Sequence, residues 1–297
     1  MSVLHYDQPL YRPPSEADSL IIQAVIGCPH NACTFCDMYK SKTFRARPQR
    51  EILADLETGR RLYGEGVRSL FLADGNAIVL SSRRLEEICR RAGELFPRLD
   101  RITTYGSAKY VMAKTLPELR RLREVGLSRM HMGLESGDPV TLRDIAKGAT
   151  VEQIVEAGRR VVAAGMELSL YIMVGVAGTE RWREHALGSA AVVSQVEPRF
   201  VRLRTFVPRR DTELFDRWRR GGLILPDPYQ ALAEVRLLVE KITGRTELLS
   251  DHMSNFLDVR GRFPEDRQSM LGFIDTASRW PRDRFRPDTA EWIDLGL

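Results

Sequence analysis

Two kinds of apolar pattern alternate along the chain. Short, nearly continuous apolar runs predict strands at 20–26, 67–73, 101–107, 129–135, 167–174 and 200–207. Segments with helical spacing lie between them. Residues 48–63 place Ile52, Leu53, Leu56 and Leu62 on roughly one face, and Gly64 and Gly66 end that helix. Ser81 and Ser82 are positioned to cap a second helix that runs to about residue 96. Helices follow at 116–125, where Gly126 stops the pattern, at 139–146 and 151–164, split at Lys147-Gly148, and on to residue 196. After Pro208 the rhythm changes. A helix is predicted at 227–242, then a polar stretch at 248–256 with an apolar lead-in, then a tail in which Trp280 and Trp292 stand among Pro and Arg.

Strand, loop and helix repeat about every 30 residues, the length of a βαβ unit. Such repetition implies parallel strands joined by right-handed helical crossovers, hence an α/β fold. Six units are too few for a closed eight-fold barrel and suit an open, partial (β/α)6 barrel of the TIM type. The expected organisation is an N-terminal arm at 1–18, a barrel core at 19–215 and an extension at 216–297 that caps the open side. In barrel folds the chemistry sits at the C-terminal ends of the strands. The polar and glycine-rich sequences fall there: the loop after residue 26, Asp74-Gly75-Asn76, Tyr105-Gly106-Ser107, Glu135-Ser136-Gly137 and Gly175–Gly178. That coincidence predicts one shared site.

Composition narrows the class. The 297 residues are 43% hydrophobic and 29% charged, an ordinary globular balance with ample length for a core. The first residues are rich in Pro and charge and lack the apolar centre of a signal peptide. Residues 161–178 are the most membrane-like run, but Glu167 and Ser169 interrupt it. The expectation is a cytoplasmic protein in a reducing compartment, with no membrane partner. Net charge is +5 and Arg pairs recur, as at Arg83-Arg84 and Arg219-Arg220. With Glu nearby these read as solvated helix faces; a nucleic-acid stripe is the alternative.

The cysteines carry the chemistry. Three of the four, Cys28, Cys33 and Cys36, fall within nine residues. A disulfide framework is not spread that way, whereas a soft metal centre is held by clustered thiolates. Three ligands suit a cubane with one iron open to a substrate or cofactor, and Phe35 offers an apolar wall for a bound ring. Zinc held by these thiols and His30 is an alternative, though no second ligand pair is present; three inert core thiols are another. Cys89, alone within a helix, reads as a small buried hydrophobe.

The Cys28-x4-Cys33-Thr34-Phe35-Cys36 stretch resembles the cluster loop of the radical S-adenosylmethionine (radical SAM) superfamily. The usual signature is Cys-x3-Cys-x2-Cys with an aromatic before the third cysteine; here the first gap is four residues. The resemblance covers about residues 20–215. It implies a [4Fe–4S] cluster on Cys28, Cys33 and Cys36, with SAM chelating the open iron through its amine and carboxylate. It also implies SAM contacts at Asp74, Gly75 and Asn76 (a partial match to the family's glycine-rich turn), at Ser107 and Tyr171, and at the Gly175 turn, which ends at Glu180. Glu135 matches a SAM-contacting position of the coproporphyrinogen-oxidase-like and methylthiotransferase-like branches. Lys147 stands where the first branch has a cation for the SAM carboxylate. The activity implied is reductive cleavage of SAM to methionine and a 5′-deoxyadenosyl radical that takes hydrogen from a substrate. An electron donor such as flavodoxin or ferredoxin is then required.

The substrate is read from the remaining polar residues. Tyr39, Lys40, Arg202, Arg204, Asp251, His252 and Asn255 are candidates to line the pocket, with Tyr39, Arg204, His252 and Asn255 the catalytic candidates. Arg202 and Arg204 alternate with Val201 and Leu203 and are expected on one strand face. Two cations there favour an anionic small molecule. A tRNA-modifying radical SAM enzyme is the second reading, and a non-catalytic iron–sulfur or zinc protein is the reading of another class. No second cysteine cluster or cobalamin region is evident, which argues against sulfur insertion.

Overall fold

The apolar runs form strands in the order the sequence predicts. The structure, a computed structural model, describes residues 3–286; Trp292 lies outside the described residues. The strands are β1 (Leu20–Gln23), β2 (Val25–Ile26), β3 (Arg45–Ala46), β4 (Ser69–Ala73), β5 (Arg101–Gly106), β6 (Leu127–Glu135), β7 (Glu167–Val174), β8 (Phe200–Thr205), β9 (Thr246–Leu249) and β10 (Arg260–Phe263). The helices are α1 (Gln49–Tyr63), α2 (Ser82–Leu95), α3 (Ala108–Met112), α4 (Leu116–Glu124), α5 (Pro139–Asp144), α6 (Val151–Ala163), α7 (Trp182–Val196), α8 (Glu213–Arg219), α9 (Pro228–Lys241) and α10 (Arg267–Ala277). The main sheet has eight strands in the order β1-β4-β5-β6-β7-β8-β9-β10.

The chain divides into two compact units. One comprises the chain up to Asn31, Met38–Met132 and Arg160–Leu168; the other comprises Ala32–Asp37, Gly133–Arg159 and the chain from Ser169. In the first unit β1, β4, β5 and β6 run parallel. All five residues of β4 are buried, as a parallel strand covered on both faces requires. Ile52 and Leu56 of α1 and Leu85, Ile88 and Cys89 of α2 are buried with them. In the second unit β7, β8 and β9 are parallel and β10 is antiparallel to β9. Helices α7, α9 and α10 pack there, burying Ala190, Val193, Leu232, Val239 and Ile274.

Four local expectations are corrected. The run at 20–26 is two strands, because Val25 and Ile26 leave β4 and pair with Ala46 and Arg45 of β3. Neither serine caps α2: Ser81 makes no side-chain cap bond, and the Ser82 hydroxyl donates to Glu118 instead (2.9 Å). The polar stretch at 248–256 begins inside β9, and β9 and β10 extend the sheet past the six predicted strands. The N-terminal segment is tied down rather than a loose arm. Glu16 is fully buried, bonded to Ser19 (2.7 Å) and 3.4 Å from His131.

Candidate functional site

In the first unit the site is built at the end of β4. Asp74 follows the last strand residue, and its carboxylate is fully buried. Its Oδ2 accepts from Lys42 Nζ (2.9 Å), Gln23 Nε2 (3.0 Å) and the Gly27 N–H (3.1 Å). Its Oδ1 is buried with no hydrogen-bond partner among the described residues. Burial pushes the Asp74 carboxyl above the usual range; the Lys42 and Gly27 hydrogen bonds oppose this without cancelling it. Lys42 and Gln23 also donate to the Asp7 carbonyl (2.7 and 3.1 Å), so the N-terminal segment is part of this network.

Gly75 is required by space. A Cβ there would lie 2.8 Å from the Tyr39 ring and 3.0 Å from Cys28 Cβ. Asn76 and Ser107, two predicted cofactor contacts, are brought together. Asn76 Nδ2 donates to Ser107 Oγ (2.8 Å), and the Ser107 N–H donates to Asn76 Oδ1 (3.2 Å). Tyr39 is only 4% exposed, edge-on to Tyr11, which suits a supporting wall better than a proton carrier. Lys40 is exposed and reaches back to the Asn31 carbonyl (2.9 Å), bracing the loop.

In the second unit Cys33, Phe35, Cys36, Glu135 and Lys147 gather. The Cys36 N–H donates to the Cys33 carbonyl (3.3 Å), closing a tight turn. Lys147 Nζ donates to Glu135 Oε1 (2.7 Å) and lies 5.9 Å from the centroid of the Phe35 ring. Burial works against the Lys147 ammonium, but the Glu135 carboxylate and the Cys33 thiolate outweigh it, so its pKa is raised. Glu135 has a left-handed backbone (φ 61°), strained for a non-glycine residue. Gly133 makes the pair possible, since a Cβ there would lie 2.0 Å from Glu135 Oε1. All three loop thiols lie outside any disulfide and are half-exposed. Among the described residues no three metal-ligating side chains stand assembled at coordination distance, so the case for a metal rests on the thiol donor set itself.

Further along the second unit, Arg202 and Arg204 share a strand face, and Val201 and Leu203 are buried on the opposite one. Arg204 stacks on Tyr171 (5.3 Å), and Arg202 stands 3.7 Å from Asp251. Burial first, then the Arg204 charge, lowers the His252 pKa to about 4. Its Nδ1 is 2.8 Å from Ser254 Oγ. Asn255 is fully engaged with β8: its Oδ1 accepts from the Thr205 N–H (2.7 Å), and its Nδ2 donates to the Leu203 carbonyl (2.8 Å). The Gly175 N–H donates to Glu234 (2.9 Å), a residue the sequence reading passed over. Its signal was present: Glu234 interrupts the buried stripe of Ala231, Val235 and Leu238.

A family model for the radical SAM superfamily matches residues 22–188, more than half of the chain. The chain belongs to the radical SAM superfamily. It is 28% identical over 147 residues to GTP 3′,8-cyclase of Marinobacter nauticus, a match covering 48% of this chain and 42% of that protein. The chain thus spans less than half the length of that curated relative. Coproporphyrinogen III oxidase from Escherichia coli aligns with a TM-score of 0.57 at 18% identity, over 75% of this chain and 51% of that one. Methylornithine synthase aligns with a TM-score of 0.53 at 18% identity, over 94% and 85%. These likenesses show the fold, the superfamily's open, partial (β/α) barrel. Its enzymes use a [4Fe–4S] cluster and SAM, and these are the cofactors here. No helix among the described residues is long and apolar enough to cross a membrane.

Proposed function

We propose that this chain is a radical SAM enzyme that takes hydrogen from an anionic small molecule. The observation that carries the reading is the Glu135–Lys147 pair beside Cys33, Phe35 and Cys36. Cys28, Cys33 and Cys36 would hold the cluster, since three thiols on one loop outside any disulfide are a suitable donor set. Glu135 would contact SAM and Lys147 would pair with its carboxylate, with Phe35 as an apolar wall and the backbone of the Gly75 turn meeting the SAM amine. Asp74, Gly75, Asn76 and Ser107 shape one binding turn; Tyr171 and Gly175 belong to another. Held by these residues, the cluster and SAM would supply one-electron reductive cleavage of SAM, the radical chemistry that hydrogen abstraction from a substrate needs.

Arg204, stacked on Tyr171, is the anchor for the substrate's negative charge, and neutral His252 is the adjacent donor or acceptor. The curated relative is named for a reaction on GTP, itself an anion. Tyr39 backs the Gly75 turn in the first unit and Asn255 braces β8 in the second, so neither is assigned to substrate. The first residues are a strap, residues 19–215 the catalytic core, and residues from 216 an extension of it. A one-electron protein donor of the flavodoxin or ferredoxin kind supplies the reductant.

The test is anaerobic reconstitution with iron and sulfide, then dithionite and SAM, assayed for 5′-deoxyadenosine. The wild type should form it, and Cys33→Ala should form none. A wild type with a full cluster that forms none under these conditions would overturn the reading.

A further inference from the structure

A chain of buried polar groups in the second unit is used by nothing above. Ser136, His185 and Glu234 are each at most 1% exposed. Ser136 directly follows Glu135. Its Oγ accepts from the Asp138 N–H (3.0 Å) and lies 2.9 Å from His185 Nδ1. His185 Nε2 lies 3.2 Å from Glu234 Oε1, which also accepts the Gly175 N–H (2.9 Å). One tautomer satisfies every contact: the serine hydroxyl donates to Nδ1, and Nε2–H donates to Glu234. Three helices contribute. Asp138 caps α5, His185 lies on α7 and Glu234 on α9.

The same stretch of α7 grips the β6 turn at further points. Arg181 makes a two-pronged bond to Asp138 (2.8 and 3.0 Å), and Ser189 Oγ accepts the Gly137 N–H (2.9 Å). Gly137 and Gly188 meet backbone to backbone; a Cβ on either would come within 2.4 Å of the other segment. Glu234 Oε2 is buried with no hydrogen-bond partner among the described residues. Leaving a carboxylate oxygen bare is unfavourable, and an apolar residue would fill α9's buried stripe at less cost. Stability alone therefore does not account for this carboxylate. A Ser–His–Glu hydrolytic site is excluded by burial, because no substrate reaches the hydroxyl.

We propose that Ser136, His185 and Glu234 form a buried positioning relay that fixes the Glu135 turn and the Gly175 turn together, so that both binding turns are set before SAM arrives. This rests on the reading that Glu135 contacts SAM. His185 and Glu234 are positioning residues and touch no reacting atom. A prearranged turn needs no ordering on binding, so loss of the relay should weaken affinity more than turnover.

The test is SAM binding by equilibrium dialysis on anaerobically reconstituted protein, with KM and kcat for 5′-deoxyadenosine formation. His185→Phe and Glu234→Met should each weaken SAM binding about tenfold, the size of one lost buried hydrogen bond. The kcat at saturating SAM should stay within about twofold of wild type. His185→Gln, which keeps one donor and one acceptor, should restore most of the affinity. Combined with Glu135→Gln, His185→Phe should add little further loss, because both act through one turn. Fully additive losses, or no restoration by Gln, would overturn the relay. If His185→Phe does not fold, Ser136→Ala removes a single hydroxyl and must show the affinity loss instead. Glu135→Gln binding SAM as wild type would sink the SAM assignment itself; a weakened Glu135→Gln beside an unchanged His185→Phe would sink only the relay.

Discussion

Among the described residues two acid–lysine pairs stand at strand ends, and they are built differently. In the first unit Lys42 and Asp74 are 2.9 Å apart with side chains 3% and 0% exposed. In the second Lys147 and Glu135 are 2.7 Å apart and 13% and 12% exposed. Asp74 is bound on one oxygen by the backbone of Gly27 and by Gln23, and Lys42 by the Asp7 carbonyl. That pair ties three separate segments together. Glu135 gives Lys147 one oxygen, on a backbone whose left-handed conformation costs on the order of 1–3 kcal/mol. A pair whose partners are all internal serves the fold. Under the proposed function, the strained, partly open pair is the one that would exchange a partner for SAM.

The largest expected effect tests the first half of that contrast. Asp74→Ala leaves the buried Lys42 ammonium only the part-exposed Asp7 carboxylate, 3.5 Å away, and should cost about 3 kcal/mol of stability in urea unfolding. Glu135→Gln should cost less, about 1–2 kcal/mol, because the amide oxygen can still accept from the Lys147 ammonium. The same substitution should weaken SAM binding about tenfold, the cost of one charge-assisted contact. Equal stability losses in the two variants would erase the distinction between scaffold and binding pair.

The same contrast marks what the sequence could reveal. The Cys loop and the β4 turn lie in local patterns, whereas Glu135 and Lys147 were named from the family resemblance and are paired in the fold. The six long strands were legible because buried parallel strands are continuous apolar runs. β10, Arg260–Phe263, was not, since an edge strand carries charges that hide its pattern. Nor was Glu16, whose buried partner His131 stands 115 residues away. Nor was Lys42, whose partner Asp74 stands 32 residues on. His185 looks like a helix polar residue until its burial is known, whereas Glu234 at least breaks an apolar stripe. Long-range pairing of polar groups leaves no local periodicity, so its members surface only in three dimensions.

The thiols sharpen the comparison at a smaller scale. Cys89 is fully buried, and burial pushes its pKa up to about 12, whereas Cys28, Cys33 and Cys36 are half-exposed. In reduced, metal-free protein iodoacetamide should modify the three loop thiols and spare Cys89 until urea unfolds the chain. Mass mapping that finds Cys89 labelled in folded protein would contradict the burial.

His252 is the smallest effect. Its pKa, lowered to about 4 from 6.5 by burial and then by Arg204, makes it neutral at pH 6 in the fold and largely protonated when unfolded. The unfolded chain therefore binds more protons between those values, and this contribution to stability is lost as pH falls from about 6.5 to about 4. An imidazole titration by NMR should place the midpoint near the lower value. Arg204→Ala removes the second-largest cause and should move the midpoint upward, while burial keeps it below the ordinary value. A midpoint unmoved by that substitution would separate Arg204 from His252, and with it remove the reason to assign both to one anionic substrate.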